Sequence, residues 1–329
     1  MDKSQNISLE NEKNKIKFSF KIKNSNLAKN LSSLVALVGL ITFFTMMNSN
    51  FIAFGNLMTI TQQTSIFAIL AIAETFIIIT SGIDLSVGSV LAVSGVVAGK
   101  MLVSGYSIPM AIIGGLLSGT LCGVISGLII SKLDIAPFIA TLGMMSIARG
   151  AAYVITGAMP VSGLPENFYF LGGGTIFGLP VPTIIMITLA MIFSFVLKKT
   201  SFGRCVYTLG SNEDAAKLSG VNVNKVKIGV YAISGLLAAL VGIMMAARLV
   251  SAQSNAGIGY ELDAIAAAII GGTSPLGGVG TIGGTIIGAL IMGVIRNGLN
   301  IIGINAFWQQ IAIGSIIILA VLVDKMRRK

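Results

Sequence analysis

Apolar runs such as "LVALVGLITFF" (34–44) recur along the whole chain, and their length limits what it can fold into. A helix of about 17–25 predominantly apolar residues crosses the ~30 Å hydrocarbon core of a bilayer. Length alone, 329 residues, would suggest about two soluble domains. A mean hydropathy of +0.91 with charged residues at only 10% leaves too little polar surface to cover a water-soluble globule. The runs also lack the period-2 alternation of a transmembrane β-barrel. The expected fold class is an all-α polytopic integral membrane protein.

Charge placement orients the spans. The net charge of +10 is carried by clusters: seven lysines in the first thirty residues, six Lys/Arg in 198–227, Lys132, and four in "DKMRRK" at the end. Clusters flanking spans are the positive-inside signature and point to a membrane surface rather than to nucleic acid. Taking all four as cytoplasmic predicts ten spans with both termini inside: about 31–48, 57–80, 86–104, 108–131, 137–156, 181–197, 228–248, 261–273, 281–302 and 307–323. The chain then divides into a Lys-rich cytoplasmic tail (1–30, expected to be disordered), one transmembrane domain (31–323) with a cytoplasmic loop at 198–227, and a basic cytoplasmic tail (324–329). The tail is too long and polar for a cleavable signal peptide. Lys100, Arg149, Arg248 and Arg296 fall at or towards outer ends. They break the rule unless they snorkel to the interface.

The residues exclude much chemistry. There is no histidine, so Ser-His-Asp catalysis is ruled out and the commonest metal ligand is missing. Cys122 and Cys205 suggest no disulfide framework. "SGVVAGKM" (94–101) fails as a P-loop at Ser94 and Met101. "GVGTIG" (278–283) lacks the preceding strand that a dinucleotide fold requires. No catalytic residue, metal ligand or cofactor site is expected on this chain.

Glycine marks the architecture. Gly115, Gly119, Gly123 and Gly127 recur every fourth residue, a stripe that lets a neighbouring backbone approach closely. "TSGIDLSVGS" (80–89) and "GGTSPLGGVGTIGG" (271–284) interrupt the apolar pattern. Broken helices at membrane depth are tolerated inside protein or beside a water-filled path. Ser274, Pro275 and Gly277, with the intramembrane carboxylates Glu74 and Asp84, are therefore pathway or helix-break candidates. The bland readings are inter-span turns for both breaks, and for Asp84 an N-cap on the following helix.

The insert "KKTSFGRCVYTLGSNEDAAKLSGVNVNKVK" (198–227) packs eight charged groups into thirty positions. Ser211 and Asp214 fit a capping box and Gly220 a C-terminal stop, predicting a helix of about eight residues. So short a helix is marginal alone in water. Its apolar face, Ala215, Ala216, Leu218 and Val221, rests either on a partner or on the membrane domain itself.

Four stretches, "SGIDLSVGS" (81–89), "FIATLGMMSIARG" (138–150), "TSFGRCVYTLGSNEDAAKLSGVNVNKVKIGVYAISGLLAALVG" (200–242) and "ELDAIAAAIIGGTSPLGGVGTIGGTIIGALIMGVIRNGLNIIG" (261–303), carry a resemblance. The chain resembles the membrane permease subunits of bacterial ABC importers for simple sugars, most closely the ribose type, from about residue 34 onward. The resemblance implies a type II importer-like homodimer in the cell membrane. It implies a cytoplasmic ABC ATPase that uses ATP and Mg, and an external sugar-binding protein. It also implies that the insert docks on the ATPase through an Ala-Ala…Gly pattern matched by Ala215, Ala216 and Gly220, with Gly203 and Arg204 upstream. Arg149, Arg248 and Arg296 then become candidates for docking the binding protein. The alternatives are an ATPase-independent carrier or channel, or a permease for another pentose, a hexose, autoinducer-2 or branched-chain amino acids.

Overall fold

The computed structural model describes residues 33–327. The lysine-rich tail therefore lies outside the described residues. The chain is built from helices: α1 (Ser33–Met47), α2 (Phe54–Ile79), α3 (Val87–Val103), α4 (Ile108–Lys132) and α5 (Pro137–Thr156) come first. After a short α6 (Phe170–Gly173) and a two-stranded hairpin, β1 (Thr175–Ile176) against β2 (Leu179–Pro180), comes α7 (Val181–Lys199). The insert forms α8 (Ser201–Ser211) and α9 (Glu213–Leu218), followed by α10 (Val223–Leu249), α11 (Tyr260–Ile270), α12 (Ile282–Ile301) and α13 (Ala306–Arg327).

Every apolar run expected to span is helical. Among the described residues six helices, α2, α4, α5, α7, α10 and α12, are long and apolar enough to cross a membrane. α11 is not, since its eleven residues reach only ~16 Å at 1.5 Å per residue, about half the hydrocarbon thickness. The last helix runs on through Arg327, past the expected start of the basic tail.

Burial sorts the helices into centre and periphery. In α2, 89% of the apolar window is buried; in α4 and α5 the figure is 28%. A helix that is apolar all round belongs in the interior, and Ile66–Ile79 of α2 is enclosed on all sides. The peripheral helices keep large apolar side chains such as Leu117, Leu121 and Val154 on the outside, where acyl chains replace water.

The glycine stripe does what its spacing predicts. Gly115, Gly119, Gly123 and Gly127 are all buried, and Gly119 and Gly123 lie directly against the α10 backbone at Gly235 and Tyr231. A methyl at either position would displace α10, so α4 and α10 pack backbone against backbone.

Candidate functional site

The insert begins with a cap. Thr200 Oγ1 accepts the Gly203 N–H at 3.2 Å and starts α8 immediately after α7. A side chain at Gly203 would meet the carbonyls that end α7, so glycine permits the sharp turn. Arg204 points to solvent, while Val206, Leu209 and Gly210 turn inward. Tyr207 donates its hydroxyl hydrogen to the Gly280 carbonyl at 2.7 Å. Burial pushes this phenol up to about 12, so it stays a donor at neutral pH.

The helix after α8 starts one residue later than the capping-box pattern implies. Asn212, not Ser211, is the N-cap: its Oδ1 accepts the Ala215 N–H at 2.9 Å. Ser211 is the last residue of α8 and donates to the Tyr207 carbonyl. Asn212 has the extended backbone (φ −166°) that a cap requires. The expected eight residues shrink to six. Gly220, at φ +79°, closes the helix as expected. Its N–H reaches the Lys217 carbonyl and the Val221 N–H the Ala216 carbonyl, the double bond of a Schellman stop.

The apolar face of α9 is divided. Ala216 is fully buried and, with Val221, packs on the membrane domain itself, which corrects the expectation that Ala216 faces a partner. Asp214, Ala215 and Gly220 are exposed, and Leu218 projects at 91% exposure. Glu213 ties the helix down through ion pairs to Lys217 (3.0 Å) and to Lys227 of α10 (2.9 Å). Partial burial works to raise this carboxyl, but the hydrogen bonds from the two lysines outweigh it and hold it below the usual value.

The two glycine-rich breaks, far apart in sequence, meet beneath the end of α8. The Gly278 N–H donates to the Ile79 carbonyl at 2.9 Å, joining the second break to the last residue of α2. Ser81 donates to the carbonyls of Gly210 (3.4 Å) and Leu276 (3.2 Å). Gly210 lies so close to Ile79 and Gly278 that any side chain there would displace one of them. Gly277 and Gly278 both take positive φ, which glycine adopts without strain. Ser274 is buried and holds this turn through the Leu276 N–H, while Pro275 faces outward. Both breaks are turns, packed on one another and on the insert.

Residues 82–86, between α2 and α3, carry no regular structure. Asp84 there is buried and satisfied three times. Its Oδ1 accepts from the Ser86 N–H (2.9 Å) and Oγ (2.6 Å), and its Oδ2 from Ser234 Oγ on α10 (2.8 Å). The N-cap position of α3 belongs to Ser86, so Asp84 turns the chain into the helix and bonds it to α10 rather than capping it. Glu74 is fully buried nearby, and neither carboxyl oxygen meets a donor among the described residues. The Tyr231 hydroxyl is likewise unpartnered.

Two of the three arginines that break the charge pattern are already engaged. Arg149 donates from Nη1 to the carbonyls of Ser254 and Ala256 (both 2.7 Å) and from Nη2 to Gly88 (3.3 Å). Arg296 grips both oxygens of Asp263 at 2.6 Å and lies over the Phe67 ring, 5.2 Å from its centre. Arg248, in the last turn of α10, has no ion pair among the described residues.

Sequence reasoning missed a third break, residues 250–259. Val250, Gly257 and Gly259 take positive φ there, and Ala252 bridges to Val161 in the loop after α5. The Arg149 contacts draw this segment onto the start of α3 beside Glu261, whose Oε1 accepts the Gly259 N–H. The out-of-place Arg149 and the glycine pair were the available signals.

The comparisons agree with this anatomy. A family model described as branched-chain amino acid transport system / permease component matches residues 56–322. The chain is 47% identical over 300 residues to the ribose import permease protein of Escherichia coli K12, covering 90% of this chain and 94% of that protein. It is 46% identical over 296 residues to the namesake from Haemophilus influenzae (89% and 92%) and 43% over 299 residues to that of Bacillus subtilis 168 (90% and 93%). No solved structure matches the chain. With six apolar helices long enough to span and a match along most of its length, the chain belongs to this permease family, as a multi-pass protein of the bacterial cell membrane.

Proposed function

We propose that this chain is the permease subunit of an ATP-driven ribose importer. The solute assignment rests on the relatives, which are ribose import permeases over nine-tenths of the chain. In this reading the run-by-run hydropathy amounts to ten spans with both ends cytoplasmic, in a type II-like homodimer. A separate cytoplasmic ATPase uses ATP and Mg, and an external binding protein delivers the sugar. The 1–30 and 324–329 segments are cytoplasmic tails.

One observation carries the mechanism: Gly210 wedges the insert against both helix breaks at once. Force applied at α9 therefore reaches the end of α2 and the turn before α12 through direct contacts, without crossing a flexible linker. The docking surface consists of Leu218, Ala215, Asp214 and Gly220 on α9, with Arg204 on α8. Gly203 and Asn212 shape it, Ser211 ends α8 beside it, and Ala216 supports it from inside. Closure of the ATPase pair on ATP pulls the two inserts together and shifts the breaks between two arrangements, which requires ATP to favour one of them energetically. Asp84, Ser274, Pro275 and Gly277 belong to the moving breaks, and Glu74 sits behind them. Arg248 is the arginine free to meet an acidic group on the binding protein.

Reconstitution tests the reading. Proteoliposomes holding the permease and its ATPase, supplied with binding protein and ribose, are expected to accumulate ribose only with ATP inside the ATPase-accessible compartment. Equal ribose flux through the permease alone would establish a carrier or channel instead.

A further inference from the structure

A groove of about 560 Å³ runs between α7 and the start of α12, lined by Met186, Ala190, Met191, Phe195, Gly283 and Ile286. Its volume is in the range of small-molecule sites, yet its wall is apolar and offers a polyhydroxylated sugar few partners. Met191 and Phe195 are more than 60% exposed. At Gly283 the groove is open: a Cβ built there would have no atom within 4 Å.

The mouth has a different character. Lys198 and Lys199, in the last turn of α7, also line the groove. Both are exposed, and among the described residues neither ammonium meets a carboxylate. They lie at the end of α7 that leads into the insert, which places them at the cytoplasmic headgroup level. A long apolar slot ending in a cation pair at a membrane interface is complementary to one chemistry, an acyl chain joined to an anionic headgroup.

We propose that this groove is a binding site for an anionic phospholipid of the cytoplasmic leaflet, with its acyl chain along α7 and its phosphate held by Lys198 and Lys199. The site touches α7 next to α8 and α12 next to the second break, so an occupant bears on the elements that the insert moves.

The test uses the full chain in mild detergent, titrated with phosphatidylglycerol or phosphatidylcholine of identical acyl chains, with bound lipid counted by native mass spectrometry. The wild type is expected to retain phosphatidylglycerol in preference to phosphatidylcholine. Replacing both lysines (Lys198→Gln, Lys199→Gln), which are exposed and tolerant, is expected to weaken phosphatidylglycerol by about 30-fold while leaving phosphatidylcholine unchanged. Gly283→Phe, which puts a ring into the open slot, is expected to weaken both lipids; if it fails to fold, the lysine variant decides. Equal retention of the two lipids by the wild type overturns the proposal. So does undiminished phosphatidylglycerol binding in the lysine variant. Loss of a dimer in these variants with lipid binding intact would also overturn it, by assigning the groove to a second copy.

Discussion

Leu218 shows how much one residue can reveal. A large apolar side chain 91% exposed on a six-residue polar helix has no stabilising role in the isolated chain. Leu218→Asp is therefore expected to leave the melting temperature within about 1 °C, as surface changes usually do, while abolishing capture of the ATPase. Undiminished capture would remove α9 from the interface. At this scale the sequence was legible only in part. Ser211 and Asn212 are adjacent residues of similar capping ability, and the choice between them lay in a backbone angle, not in residue type. Ala216 and Leu218 are both apolar, and only packing on the permease separates the buried one from the projecting one. The arginines stand out in the sequence as charges beside apolar runs, but the partners of Arg149 and Arg296 lie 105, 107, 61 and 33 residues away, a separation no local pattern encodes.

The element most exposed to solution conditions is α9, because its anchoring is ionic. Glu213 titrates below its ordinary value of 4.5, burial being outweighed by the bonds from Lys227 and Lys217. A carboxyl lowered by folding contributes stability above its unfolded value and loses it as pH falls through the folded one. Lys217 is raised above 10.5 by its hydrogen bond to Glu213, so its contribution is present below that value and fades as pH climbs through the folded one. Protection of the 213–218 amides, taken relative to intrinsic exchange, is therefore expected to be highest and flat between about pH 5 and 10, and to fall below about pH 4 relative to α10. A profile that follows base-catalysed exchange alone would show the ion pairs to be ornamental. The long helices were read to within a few residues because apolar run length is local and needs no knowledge of neighbours. The 250–259 break escaped notice because "SAQSNAG" looks like any polar connection, and its inward course depends on Arg149.

For the whole molecule, the three breaks and the central α2 form one assembly, held by contacts of very different kinds. Arg149 bonds the third break to α3 and is expected to be structural. Arg149→Ala loses three charge-assisted bonds, and a cost of about 3 kcal/mol corresponds to a fall in melting temperature of about 6–12 °C. Arg248→Ala is expected to leave melting unchanged and to weaken binding-protein docking while flattening its salt dependence. Docking that keeps its salt slope in the second variant would rule out an electrostatic role there.

The enclosed position of α2 has a consequence for how the protein is made. It is the second helix to be synthesised, yet Tyr231, near its Glu74, and Ser234, which bonds Asp84 just past its end, are encoded about 150 residues later. At ~5–20 residues per second that is a delay of roughly 8–30 s. Throughout it, Glu74 must wait in lipid or in the insertion machinery without the neighbours that will later shelter it. Biogenesis of this chain therefore contains a holding step for its own centrepiece, and the late helix α10 completes the shelter around the second.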